Sequence, residues 1–376
     1  MRIKKSILLA SAVLLFGIQS CIDVKLEDKS GLPDNVKVNF SLDWPSDIPE
    51  EERPEQVYVA MSRIINTVHY VWLTDLSGNI GQSYLPQEPG AGGTVTPADA
   101  AAEPGAPGTV SNGEYYIMAF NDAQSAYTID ALDDFASDKA VSLRDLYAVS
   151  SPLTPEEIGR DHADFNPAFG YVKESTPLFL DVKKQTLFPD MTPDVALDMR
   201  SLTQKITFRV EIEVEEGVSI RNDRMEAEIS GVAGRIQLMS AQVRDSSYRV
   251  IFDMDKTGEN AGRDVYEGDV DVLGLFPGNN GTDVIGAGIL QLSIHAECDG
   301  KERLFHAGVN LSDPIREAGL MEELEDGSGY RAARSSATIV VSSSLRISHD
   351  QVSQGDEVQG VEIWFDSEDN NIDIEV

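Results

Sequence analysis

The chain has 376 residues, 41% of them hydrophobic and 25% charged, enough to bury the cores of roughly two to three domains without disulfide or metal staples. Its 30 basic and 64 acidic residues leave a formal net charge of −34, a field that repels phosphate backbones and excludes nucleic-acid binding. With only two cysteines, Cys21 and Cys298, there is neither a disulfide framework nor a CxxC zinc pattern.

Residues 1–20 read as a signal peptide. Arg2, Lys4 and Lys5 form a cationic start, and an apolar stretch from Ser6 to Ile18 follows. That stretch is short for a membrane span and runs into polar chain. Cys21 stands directly behind Ser20 at the end of the apolar stretch. The position resembles a bacterial lipobox, where the thiol is lipidated and becomes the new N-terminus. The other reading is an ordinary signal peptide with an incidental cysteine. Residues 21–34 then form a tether whose Asp23, Glu27 and Asp28 resemble the surface-export signals of Bacteroidetes lipoproteins. The lipid is expected to be the sole membrane anchor.

From residue 35 the pattern is one of strands. Val36, Val38, Phe40 and Leu42 alternate with polar neighbours, as do Val68, Tyr70 and Trp72. Residues 114–121 are apolar on both faces, which suits a central strand, and 177–182 reads as a closing strand. In the second half, Ile206 to Val214, Tyr248 to Met254, Phe305 to Leu311 and Ala337 to Ile347 repeat the alternation. One-sided alternation predicts antiparallel sheets with one wet face. Helical signals are few. Residues 141–148 could make two turns, Thr154 precedes a proline-led turn, and 313–324 begins with Asp313 as a cap. Acids stand in both its first and last turns, and those at its C-terminal end oppose the dipole and predict a short helix.

Composition divides the chain at 198/199, with 35–198 as an N-terminal domain and 199–376 as a C-terminal one. Within the first, about 82–113 is low in complexity, rich in Gly, Ala and Pro, and reads as a disordered insertion.

Three stretches carry a family likeness: Met61 to Tyr70 with Trp72, Asn112 to Asn121, and Leu202-Thr-Gln-Lys205 followed by Ile229-Ser-Gly-Val-Ala233. With the lipobox, their order resembles the Bacteroidetes fimbrillin superfamily, nearest its lipid-retained fimbrial anchor branch and a related surface lipoprotein family. The resemblance implies an all-β chain of two tandem transthyretin-like antiparallel β-sandwich domains with few short helices, on the outer membrane and exposed at the surface. It implies fimbrial subunits or other surface proteins as partners, and it supplies no catalytic residue.

The residues themselves point away from catalysis. The histidines, His69, His162, His295, His306 and His349, form no metal-ligand spacing, and neither GxSxG nor a phosphate loop is present. No resident metal or cofactor is expected. Asp253, Asp255 and Asp264 match part of a calcium-loop spacing, but Asn260 stands where that loop has an aliphatic residue. A hairpin rich in turn formers explains the same residues.

At the C-terminus, Val361, Ile363 and Phe365 alternate, and then Ile372, Ile374 and Val376 do so. The segment can form a hairpin closing its own domain, or it can be donated to a neighbour's sheet edge. The expected function is a non-catalytic surface lipoprotein that anchors or caps a fimbria-like assembly. The alternative is a surface protein that binds glycan or host ligand, with Tyr70, Trp72, Tyr115 and Tyr116 as an aromatic platform; core packing explains the same aromatics.

Cys21→Ala is expected to abolish membrane retention and leave unprocessed or soluble precursor. Fractionation that finds the variant still in the outer membrane would remove the lipoprotein reading. Deleting residues 85–110 should shift the melting temperature little, because loop closure changes by only about 0.6 kcal/mol per doubling of length.

Overall fold

In the computed structural model the alternating segments become strands. The structure describes residues 35–375 except 47, 51–52, 55–56, 66–67, 76–82, 85–108, 112, 122–125, 133–141, 159–168, 189–193, 246–247, 279–285, 328, 354–360 and 365–370. The chain is all-β, mostly antiparallel, with short helices at Pro155–Ile158, Ser312–Glu317 and His349–Ser353. Strands Gln204–Val214, Tyr248–Asn260, Lys301–Asn310 and Ser336–Ile347 cover the four alternating runs of the second half.

Two six-stranded sheets build the first sandwich. One runs, in spatial order, through Arg200–Ser201, Phe179–Leu187, Gly113–Asn121, Val57–Ile65, Val68–Asp75 and Ser83–Tyr84. The other runs through Met321–Glu323, Tyr330–Ala332, Gln242–Arg244, Arg235–Gln237, Tyr147–Ser150 and Tyr127–Asp130. Between them lies a core that includes Met118, Phe120, Leu180, Tyr127, Ile236 and Val243. The opposite face of the first sheet is covered as well: Tyr115, Ile117 and Phe179 pack with Val38, Val195 and Leu197. Gly113–Asn121 is therefore buried on both faces, which is why its sequence lacks a polar side.

The second sandwich is one eleven-stranded sheet. Its core joins Phe208, Phe252, Leu292, Phe305 and Ile339 from strands well separated in the sheet order. The sheet is thus folded over on itself. Phe208 and Phe252 stack with centroids 5.4 Å apart. Gln204–Val214 pairs antiparallel with Arg263–Val272 and parallel with Ser336–Ile347, so the antiparallel expectation holds for most ladders and not for all.

Several expectations are corrected. The division at 198/199 is crossed, because Arg235–Gln237 pairs with Tyr147–Ser150 and the first sandwich takes a whole sheet edge from beyond residue 199. The strands at 235–244 are short and carry too little alternation to reveal their partner. Residues 141–148 hold one 3₁₀ turn, Leu143–Asp145, and then a strand; Leu146 and Ala148 are needed in the core. The helix of 313–324 is only Ser312–Glu317, and Asp313 lies in its first turn rather than at its cap. The helical path ends at Gly319, whose φ of +63° is the left-handed region. Of the 82–113 insertion, Ser83–Tyr84 pairs with Val68–Asp75 and Thr109–Ser111 with Asn35–Lys37; most of the rest lies outside the described residues.

Two buried side-chain amides sit where the sandwiches meet. Asn121 Oδ1 accepts the Phe179 N–H at 2.6 Å, and its Nδ2 donates to Pro177 O and the Tyr127 hydroxyl at 3.0 and 2.8 Å. Gln204, fully buried, donates to Leu320 O and Arg334 O at 2.5 and 2.9 Å and accepts the Leu275 N–H at 3.0 Å. Between the two, Thr203 Oγ1 accepts from Leu178 N–H at 2.9 Å and donates to Thr176 O at 3.1 Å. A strap completes the joint. Gly170–Tyr171 runs parallel to Tyr248–Arg249, and the Tyr171 hydroxyl donates to Glu228, which is ion-paired with buried Arg249.

Gln204→Leu would remove the side-chain partner of the Leu275 N–H and of Arg334 O, at about 1–3 kcal/mol each, while Leu320 O would keep the Ala333 N–H. The variant is expected to lose about 2 kcal/mol or more, read as a lower melting temperature. An unchanged melt would show that the junction is not held by this amide.

Candidate functional site

The C-terminal residues take up both ends of the folded sheet. Val361–Trp364 runs parallel to Lys301–Asn310, with Val361 opposite Phe305 and Ile363 opposite Ala307. Asn371–Glu375 runs antiparallel to Ser336–Ile347, with Ile372 opposite Val341 and Ile374 opposite Ile339. These are the first and last strands of the nine-strand path through the sheet. Phe365 and Val376 lie outside the described residues. The two segments are therefore not a hairpin with each other, which corrects that expectation. The connector, six residues long from 365 to 370, reaches at most about 25 Å. Folding the sheet over brings its two ends within that reach, and no local sequence signal reports such closure.

The other candidates fall as follows. Cys21 lies outside the described residues. Asp253 and Asp255 sit on the strand Tyr248–Asn260 and both face Arg224, while Asp264 pairs with Lys256 at 2.8 Å. The calcium-like spacing thus falls on a hairpin whose turn is Ala261-Gly262. Tyr115 is fully buried, and Tyr116, 37% exposed, lies beneath the Lys184 ammonium at 5.7 Å. Cys298, Asp299 and His349 bring three donor atoms within 4.8 Å of one another. There His349 Nε2 and Asp299 Oδ2 are 2.9 Å apart, and burial with the nearby acids Asp299 and Glu215 holds the Cys298 thiol above its ordinary pKa.

A cleft of about 660 Å³ opens where the two sandwiches join. Its apolar wall is Pro45, Ile48, Pro177, Phe179 and Leu202, and its polar wall carries Arg200, Lys205, Asp271 and Arg334. Local structure places each of these. Arg200 lies on the short edge strand that pairs with Phe179–Leu187. Lys205 follows the buried Gln204, and Arg334 follows Ala333, whose N–H donates to Leu320 O at 2.9 Å. Lys205 pairs with Asp269 at 3.0 Å. Arg200 and Arg334 are exposed and have no carboxylate partner among the described residues. Sequence reading missed this cluster, since Arg334 lies far along the chain from Arg200 and Lys205; the local signal was Lys205 at the end of Leu-Thr-Gln-Lys.

Beside the cleft, burial pushes the carboxyl groups of Asp271 and Glu174 above the usual range, and Glu174 Oε1 accepts the Asp271 N–H at 3.2 Å.

No protein-family model matches the sequence, and no curated protein matches it. Solved structures do. The chain is similar to a candidate adhesin from Bacteroides ovatus, with 12% identity, 77% of this chain and 86% of that one covered, and a TM-score of 0.45. It is similar to a candidate cell adhesion protein from Bacteroides eggerthii, with 11% identity, 91% and 95% covered, and a TM-score of 0.45. It is also similar to the fimbrial anchor protein Mfa2 from Porphyromonas gingivalis, with 10% identity, 82% and 90% covered, and a TM-score of 0.38.

A carboxyl group whose folded pKa is raised opposes folding when ionised, and the opposition lifts as pH falls through that pKa. Asp271→Asn is therefore expected to raise the melting temperature at pH 7 and to give no gain below about pH 4, where the aspartate is protonated in the unfolded chain too. Melts across that range check the sign.

Proposed function

We propose that this chain is a non-catalytic lipoprotein of the cell surface. The lipid on Cys21 holds it to the outer membrane, residues 21–34 space it from the bilayer, and the sandwiches anchor or cap a fimbria-like assembly by strand addition. One observation carries the reading: both ends of a single sheet are closed by short strands from the last sixteen residues. Such closure shortens the ladders of unpaired backbone groups at both ends, and each closing strand makes only four or five residue pairings. A short edge strand is the kind of element that exchanges for a partner's strand, with main-chain bonds for affinity. The group of surface proteins that the sequence resembles, and the adhesion and fimbrial anchor proteins that the chain is similar to, support the same reading.

A second reading, a surface protein that binds glycan or host ligand, is favoured by a separate observation, the cationic cleft between the sandwiches.

Truncation after Gly360 tests the first. The expected result is a cooperative melt, because a large core of the second sandwich, from Val172 to Val352, lies upstream, together with loss of association with fimbrial subunits in a pull-down. Loss of the unfolding transition would show that the tail serves its own fold and would sink strand exchange as its role.

A further inference from the structure

The cleft stands out against the charge of the whole molecule. The chain carries 64 acids and 30 bases, yet Arg200, Lys205 and Arg334 share one concave wall with a single acid, Asp271. An exposed guanidinium in so acidic a chain has carboxylates available to it. Those of Arg209, Arg221, Arg224, Arg331 and Arg346 take one; among the described residues those of Arg144 and Arg244 do not, nor do those of Arg200 and Arg334, which share the cleft. Two free guanidinium forks in a concave site suit planar, bidentate recognition of carboxylate.

The rest of the lining narrows the ligand. Ser201, Ser335 and Ser336 offer hydroxyls that both donate and accept, and Asp271 accepts. Opposite them, Pro45, Ile48 and Pro177 form an apolar wall. A ligand that presents carboxylates, several hydroxyls and an apolar face matches all three features. The volume falls in the range of small-molecule sites, about 300–1,000 Å³. An extended peptide is favoured less by the backbone. Lys205 and Ser336 are already paired with each other, and the one edge strand at the cleft, Arg200–Ser201, is two residues long.

We propose that the cleft between the two sandwiches binds carboxylate-bearing oligosaccharides, with Arg200 and Arg334 holding the carboxylates and Asp271 and the serines ordering the hydroxyls. The proposal deepens the second reading above and does not depend on the C-terminal strands, none of whose residues line the cleft.

Isothermal titration of the full mature chain with trigalacturonate, a hyaluronan tetrasaccharide and sialyllactose tests it. The controls are the methyl ester of trigalacturonate and a hexaglutamate peptide. The expected result is binding of at least one acidic saccharide, no comparable binding of the ester, and affinity that falls with salt. Arg200→Ala and Arg334→Ala should each weaken that binding about tenfold or more, and Arg334→Lys should restore part of it. Both side chains are exposed, so the melting temperature of each variant should match the parent, which separates lost binding from lost folding. Equal binding of ester and acid, undiminished binding by both alanine variants, or binding of no acidic saccharide would overturn the proposal. Tighter binding of hexaglutamate than of any saccharide would overturn it in favour of an acidic peptide partner. Loss of fimbrial association on truncation after Gly360 would leave the result unaltered, so the two readings fail separately.

Discussion

The structure depends on how buried amides satisfy the backbone where the sandwiches meet. A backbone N–H or C=O removed from water without a partner is costly, and a junction between two sheets breaks the ladders that would otherwise supply partners. Here the missing bonds come from side chains. Asn121 holds the 177–179 segment from one side, Thr203 holds it from the other, and Gln204 ties the start of its strand to residues 275, 320 and 334. Without these groups the two cores would have no fixed relation, and the cleft would have no fixed walls.

The same constraint gives meaning to the stretches that carry the family likeness. The Asn that ends 112–121 and the Leu-Thr-Gln-Lys at 202–205 are joint residues. Leu202 enters the core of the first sandwich, Thr203 and Gln204 satisfy backbone, and Lys205 reaches the cleft wall. In Ile-Ser-Gly-Val-Ala, the Ser230 hydroxyl donates to Gly286 O at 2.7 Å and accepts from Ile289 N–H at 3.0 Å. Gly231 has φ +88°, and a Cβ there would meet Ala287 at 2.7 Å. Each motif is a solution to a packing problem, which is why none of them reads as chemistry.

Electrostatics and edges then divide the labour. The large negative charge of the chain keeps its surface hydrated and discourages self-association. Strand edges are the opposite hazard, since unpaired ladders invite other strands. The fold manages its largest sheet by spending its last residues on both ends. Among the described residues, buried charge falls on Glu211, which accepts from Asn260 at 2.7 Å, and on the pair of Glu228 with Arg249, which has further partners in Tyr171 and Gln291. Breaking such a pair from one side costs about 3–5 kcal/mol, so the strap at 170–171 is held firmly to the second sandwich.

Much of the fold was legible because strand burial is written locally. Alternation over 204–214, 248–254 and 305–311 reports which side chain faces the core, and doubly apolar 114–121 reports a sheet covered on both sides. The short helices were legible where capping is local: Thr154 and Glu157 bond each other's backbone N–H at the start of Pro155–Ile158, and Lys173 and Thr154 hold the Glu157 carboxyl down to about 2. The same locality led 141–148 astray, because Leu146 and Ala148 answer to a core assembled from distant strands.

What the sequence determined by itself was the class of the molecule: an acidic all-β chain whose strands are marked by alternation, the last two of them within residues 361–375. Alternation, charge and low complexity are properties of neighbouring residues, so they survive without coordinates. Pairing is different. That Arg235–Gln237 would complete the first sandwich, that the two terminal strands would close opposite ends of one sheet, and that Arg200, Lys205 and Arg334 would share a wall were decided by tertiary structure alone. A strand's pattern states which face is buried but not against which partner. The choice among partners is made by the sum of backbone pairing and core contacts over residues far apart in the chain.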